Sequence, residues 1–183
     1  MKQNLLRKLY VDKLKHLYSA ENELVKALAK LAKAATSPDL RAGFERHIRQ
    51  TREHMARLAM IFEALAESPQ GKRCKGMEGL LREENEMIAE DAQPQELDMR
   101  LISAAQSVGH YEMAGYGCVL TYARLLGEDE AASLLKQTLN EEIETDAKLT
   151  KLAETIIIEA MELEDSAPAE KGFRKYLTKS ARA

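Results

Sequence analysis

LISAAQSVGHYEMAGYGCVLTYARLL, Leu101 to Leu126, sets apolar or small residues at alternating steps of four and three: Leu101, Ala105, Val108, Gly115, Val119, Tyr122 and Leu126. That spacing is one face of an α-helix. The step between Val108 and Gly115 falls on Glu112, a carboxylate in the middle of the apolar stripe. Gly109, Gly115 and Gly117 surround it, although a glycine in a helix interior costs about 1 kcal/mol relative to alanine. Gly115 and Gly117 are read as close-packing positions.

The same pattern recurs three times along the chain. An earlier helix, about Asn4 to Ala34, carries Tyr10, Leu14, Leu17, Glu21, Leu24, Leu28 and Leu31 on one stripe. The next, from Pro38 to about Ala66, carries Phe44, His47, Thr51, His54, Leu58, Ile61 and Leu65. The last, about Asp129 to Glu164, carries Leu135, Thr138, Glu142, Thr145, Leu149, Leu152 and Ile156, with Asp146 one turn beyond Glu142. Every stripe turns polar near its middle.

Breakers divide the chain into two hairpins. TSPD at Thr36–Asp39 separates the first pair of helices, with Pro38 suited to a first helical turn, and Gly127 separates the second pair. Between the pairs lies ESPQGKRCKG, a loop, then GMEGLLREENEMIAED, a shorter helix whose acidic run reads as a solvated face, then AQPQ before the third long helix at about Glu96. Connections inside bundles usually run about two to eight residues. An excursion this long gives an all-α four-helix bundle of two antiparallel hairpins with one long crossover, as in ferritin-like folds. Gly71 and Gly76 have phosphate-loop spacing, but Met77 and Glu78 follow and no strand precedes, which excludes that motif.

Composition agrees. At 183 residues, with no Trp, few aromatics and abundant Ala, Leu, Glu and Lys, one helical domain is expected over 1–165, followed by a tail, 166–183. The tail segment KGFRKYLTKSARA holds five basic residues and no acid, but the net charge of −3 with interspersed signs does not suggest a nucleic-acid partner. No apolar run reaches membrane-span length, and the charged, amphipathic N-terminus is unlike a signal peptide. Cys74 and Cys118 form no ligand pair and suit free thiols in the cytoplasm.

The heights of the polar interruptions match. Folding the first hairpin at about residue 36 sets Glu21 level with Thr51, one turn from His47 and His54; folding the second at Gly127 sets Glu112 level with Glu142. Packing the hairpins together then converges both sets. One seam Glu or His alone is more often a locally paired core residue, but several buried carboxylates with no Lys or Arg in the same registers need protons, partners or a cation. A mixed carboxylate and imidazole shell suits iron or manganese. The generic arrangement in such bundles is one Glu from each of two helices and Glu-x-x-His from the other two. Met87, Met99 and Met113 are read as gap-filling apolar residues in helices, and His16 and His110 as surface or interface residues.

The segments LYVDKLKHLYSAENELVKAL, HIRQTREHMARL, GKRCKGMEGLL, VGHYEMAGYG and LNEEIETDAKLTKLA together resemble the YciF/YciE-type bacterial stress proteins, which are ferritin-like and related in fold to rubrerythrin. The resemblance implies a homodimeric bundle, induced under stress, with no well-established catalytic activity. By comparison with rubrerythrin-like di-iron bundles, it implies that Glu21 takes the first-helix carboxylate position and Glu112 the second Glu of the third-helix Glu-x-x-Glu pair. Glu142 with Asp146 then resembles the fourth-helix Glu-x-x-x-His pair, with Asp replacing His, and His54 falls near the second-helix histidine. Thr51 and Gly109 stand where two further Glu ligands are expected.

The candidate metal ligands are thus Glu21, His47, His54, Glu112, Glu142 and Asp146, around iron, manganese or no metal at all. An active site of this kind would oxidise iron with oxygen or peroxide. The competing expectation is a non-catalytic, dimeric structural or interaction protein that keeps a vestigial polar core.

Overall fold

The computed structural model describes residues 2–71, 73–89 and 91–166, the side chains of 2, 3 and 163–166 excepted. The basic segment expected from 166 onward lies outside the described residues apart from Ser166 itself. Five helices follow in order: α1 (Lys2–Ala34), α2 (Pro38–Ala64), α3 (Lys75–Ala89), α4 (Pro94–Leu126) and α5 (Asp129–Ser166). The hairpins α1–α2 and α4–α5 pack with α1 against α4 and α2 against α5, and α3 lies over α1 and α4. The four-helix bundle with a long crossover is the observed architecture, and no helix among the described residues is long and apolar enough to cross a membrane.

Local chemistry explains the boundaries. Ser37 caps α2 by accepting from the Leu40 N–H, with Pro38 in the first turn. Gly127 ends α4 in the left-handed region, φ 76°, where a side chain would be strained, and the Glu128 N–H reaches back to the Ala123 carbonyl at 3.0 Å. The α1–α2 turn is pinned from outside its own hairpin. The buried Asp98 carboxylate of α4 accepts from the Thr36 and Ser37 N–H groups, each at 2.7 Å, and from the Thr36 hydroxyl at 2.6 Å.

The apolar core comes in two blocks. One contains Leu24, Leu28, Leu31, Phe44, Leu101, Ala105, Val108 and Leu149. The other contains Tyr10, Leu14, Leu17, Leu58, Ile61, Tyr116, Val119 and Leu135. On every long helix the polar seam residues fall between the two blocks: Glu21 on α1, His47, Thr51 and His54 on α2, Glu112 on α4, and Glu142 on α5, all buried. The split core is the spatial form of the interrupted stripes.

Two glycine expectations separate. A Cβ at Gly115 would stand 2.7 Å from Leu17 Cδ2, so α4 approaches α1 closely there; a Cβ at Gly117 would meet nothing within 4 Å, so Gly117 is not a close-packing residue. The acidic run of α3 also needs correction. Glu83 and Glu86 are solvated, but Glu84 is 1% exposed and both of its oxygens lack a hydrogen-bond partner. It continues the inward face of Met77 and Leu81, which are seven and three residues back along the helix.

Two predictions follow from this packing. Gly117→Ala should stabilise the chain to urea by about 0.5–1 kcal/mol, whereas Gly115→Ala should destabilise it by about 1–3 kcal/mol through the clash with Leu17; equal effects would contradict the close approach. Burial, opposed by the Lys30 charge, pushes the Glu84 carboxyl from 4.5 up to about 7. The protonated group therefore favours the fold, with its contribution complete below pH 4.5 and lost as pH rises through about 7. Relative to the parent, Glu84→Leu should gain up to about 3 kcal/mol between pH 4.5 and pH 8, and a difference that does not change with pH would refute it.

Candidate metal centre

His47, Glu112 and Glu142 converge between the core blocks. Each offers one ligand atom, and these atoms all lie within 4.8 Å of one another. His47 Nε2 is 3.2 Å from Glu142 Oε1, while both Glu112 oxygens and His47 Nδ1 have no hydrogen-bond partner. α2, α4 and α5 each supply one member because their stripes turn polar at the same height.

Glu21 and His54 adjoin this cluster. His54 Nδ1 lies 3.4 Å from oxygens of both Glu21 and Glu142, within ion-pair reach but aligned with neither as a hydrogen bond. The Tyr116 hydroxyl donates a short hydrogen bond to Glu21 Oε1, leaving Glu21 Oε2 without a partner. Asp146 is oriented elsewhere. Its carboxylate accepts from Gln106 Nε2 at 3.0 Å and lies 3.8 Å from His110, which is exposed as expected.

The two positions where further carboxylates were expected also face the polar layer. Thr51 is fully buried with an unpartnered hydroxyl, and a Cβ added to Gly109 would stand 3.7 Å from Glu142 Oε2. A Glu at either position would enter the same layer.

Three residues outside the expected set complete the layer. Glu141 accepts from His54 Nε2 at 3.0 Å and from both Arg57 terminal nitrogens, at 2.7 and 2.9 Å. Arg57 also donates to Thr138 at 3.0 Å. Arg57 follows His54 by three residues and Glu141 precedes Glu142, so both lie beside the stripes. Tyr116 was visible one turn after Glu112 on α4, the spacing at which side chains meet.

The charges sort themselves accordingly. Burial first, then the Glu21 and Glu142 carboxylates and the Cys74 thiol, hold the Glu112 carboxyl well above the ordinary range, so without a cation it keeps its proton. Burial and the same carboxylates hold the Tyr116 phenol neutral as a donor. For His54, burial pulls the pKa down, but Glu21, Glu142 and Glu141 outweigh it and raise the imidazole above its usual value. Burial raises the Glu141 carboxyl less than Arg57, Gln137 and His54 lower it, so it stays ionised. His54, Glu21 and Glu141 thus form a partly satisfied polar group in which Glu21 Oε2 and His54 Nδ1 still lack a partner, while Glu112 is unpartnered at both oxygens and His47 at Nδ1. That donor set, two carboxylates and an imidazole with idle lone pairs, fits a hard or borderline divalent ion.

Comparison with known proteins adds family and fold. The DUF892 family, a domain of unknown function, matches residues 5–182. Protein YciF of Escherichia coli K12 is 40% identical over 154 residues, 84% of this chain and 93% of that protein. The crystal structure of the E. coli stress protein YciF superposes with a TM-score of 0.81, covering 83% of this chain and 96% of that one. YcfI of Rhodopseudomonas palustris is 35% identical with a TM-score of 0.77, covering 79% and 92%. A two-domain Anabaena variabilis protein with a ferritin-like domain is 13% identical, covers 89% of this chain and 39% of its own, and has a TM-score of 0.54, a likeness of fold alone. The chain belongs to the DUF892 family, that of the stress protein YciF, and has its ferritin-like helical bundle.

Proposed function

We propose that the polar layer binds a single iron or manganese ion through His47, Glu112 and Glu142, with Glu21 and His54 beside it, in a cytoplasmic homodimer serving the stress response. The observation that carries this reading is the convergence of three buried ligand atoms within 4.8 Å, two of whose residues retain unpartnered lone pairs. When bound, such an ion supplies Lewis acidity and, for iron, electron exchange with oxygen or peroxide. The chain's own residues do the rest. Glu112 would give up its proton to serve as a ligand, the Glu142 contact orients His47, and the Tyr116 hydrogen bond fixes Glu21. Exposed Ile157, Ile158 and Met161 on α5 offer apolar surface for a second copy.

One ion rather than two is proposed because Thr51 and Gly109 remove two carboxylates from the layer. The same feature supports a second reading, a structural protein with a relic polar core: His54 and Arg57 bond Glu141, Tyr116 bonds Glu21, and burial favours the neutral form of Glu112.

Metal analysis by plasma mass spectrometry after expression in iron- or manganese-supplemented medium should give about one ion per chain, and added metal at about 100 times its Kd should stabilise the fold by about 2.7 kcal/mol. Glu112→Gln, which mimics the neutral carboxyl, should leave the metal-free chain as stable as before and abolish that gain. Absence of stoichiometric metal together with an unchanged melting temperature would favour the structural reading. Introducing Thr51→Glu and Gly109→Glu together should raise the stoichiometry towards two ions, and a stoichiometry that stays the same in this folded variant would contradict the placement of both positions in the ligand layer.

A further inference from the structure

Between α2 and α5 a groove of about 340 Å³ opens beside the polar layer. Its floor is formed by Phe44, His47 and Leu149, all buried, and its rim by Arg46, Arg49, Lys148 and one carboxylate, Glu53. Three observations give the groove a chemistry. The floor is apolar apart from His47. Among the described residues the Arg46 and Arg49 guanidiniums make no hydrogen bond or ion pair, whereas the rim's Lys148 and Glu53 have carboxylate and arginine neighbours, Glu144 and Arg57, at 3.6 Å. His47, whose Nε2 lies 3.2 Å from Glu142 Oε1, joins the groove floor to the polar layer.

We propose that this groove binds a small amphipathic carboxylate, whose short apolar body rests on Phe44 and Leu149 and whose charged end pairs with Arg46 and Arg49. Its volume lies at the small end of ligand pockets, which suits a body of a few carbons. The positive rim disfavours a free metal cation as the occupant, and planar guanidiniums match a carboxylate in two-point geometry. Because His47 touches both the groove floor and Glu142, occupancy is sensed at the polar layer. The proposal does not rest on metal binding there.

The full chain, freed of metal by chelation and labelled with nitrogen-15, is titrated with hexanoate while the His47 ring and the backbone amides are followed by NMR. The expected result is a saturable shift confined to His47 and to residues 43–53 and 145–152. Hexanol, with the same body and no charge, and acetate, with the charge and no body, should each bind at least about tenfold more weakly. Arg46→Gln with Arg49→Gln should weaken hexanoate by a similar factor, while Arg73→Gln on the crossover should leave it unchanged. Both groove arginines are exposed, so the fold of the variant is checked directly by circular dichroism. Equal binding of hexanol, equal binding by the double variant, or no saturable shift up to millimolar hexanoate would overturn the proposal. It would also be overturned if the same amides shifted on dilution without ligand, which would identify a second copy as the occupant.

Discussion

The bundle depends on burying carboxylates at one level without leaving them charged and alone. An unpaired ionised carboxyl between two apolar blocks would cost several kcal/mol after relaxation, a large part of the stability of a domain this size. The structure meets that demand in three ways. Glu21 accepts from Tyr116, Glu141 beside the layer neutralises Arg57 and engages His54, and Glu112 keeps its proton. Protonation is the weakest of these solutions, because it leaves both Glu112 oxygens without a hydrogen-bond partner. A cation would use those lone pairs.

Periodicity made the architecture legible. Apolar steps of three and four on each long helix, with Pro38 and Gly127 as punctuation, are local signals, and the two hairpins and crossover follow from them. The height of the polar layer was legible too, because helix rise is constant and two hairpin turns fix the register. Less visible was anything that depends on rotation about the helix axes. Glu141 and Arg57 sit beside the stripes and look like surface residues until α2 and α5 are brought side by side. Asp98 looks like an ordinary first-turn acid, yet it holds the α1–α2 turn from another hairpin. Glu84 is hidden in a run of surface acids, and only the docking of α3 on α1 and α4 buries it.

Thr51 and Gly109 give the layer its particular character. Both face the ligand-rich region, and neither brings a charge. Their effect is to lower the negative charge that the bundle must neutralise. A layer with two fewer carboxylates carries less buried charge to neutralise, and under the proposed function it would hold a metal ion less strongly. The result is a core in which the hydrogen-bonded pairs of His54 with Glu141 and Tyr116 with Glu21 adjoin Glu112, whose oxygens have no partner. Gly115 and Gly117 belong to a different matter: one admits Leu17 and the other faces open space.

Anomalous X-ray diffraction from crystals of the chain grown with manganese(II) would decide whether the cluster of His47, Glu112 and Glu142 is a single-ion site. One strong manganese peak in each chain, within coordination distance of His47, Glu112 and Glu142, is expected. A polar layer without a peak, or manganese found only on exposed acidic residues, would contradict it.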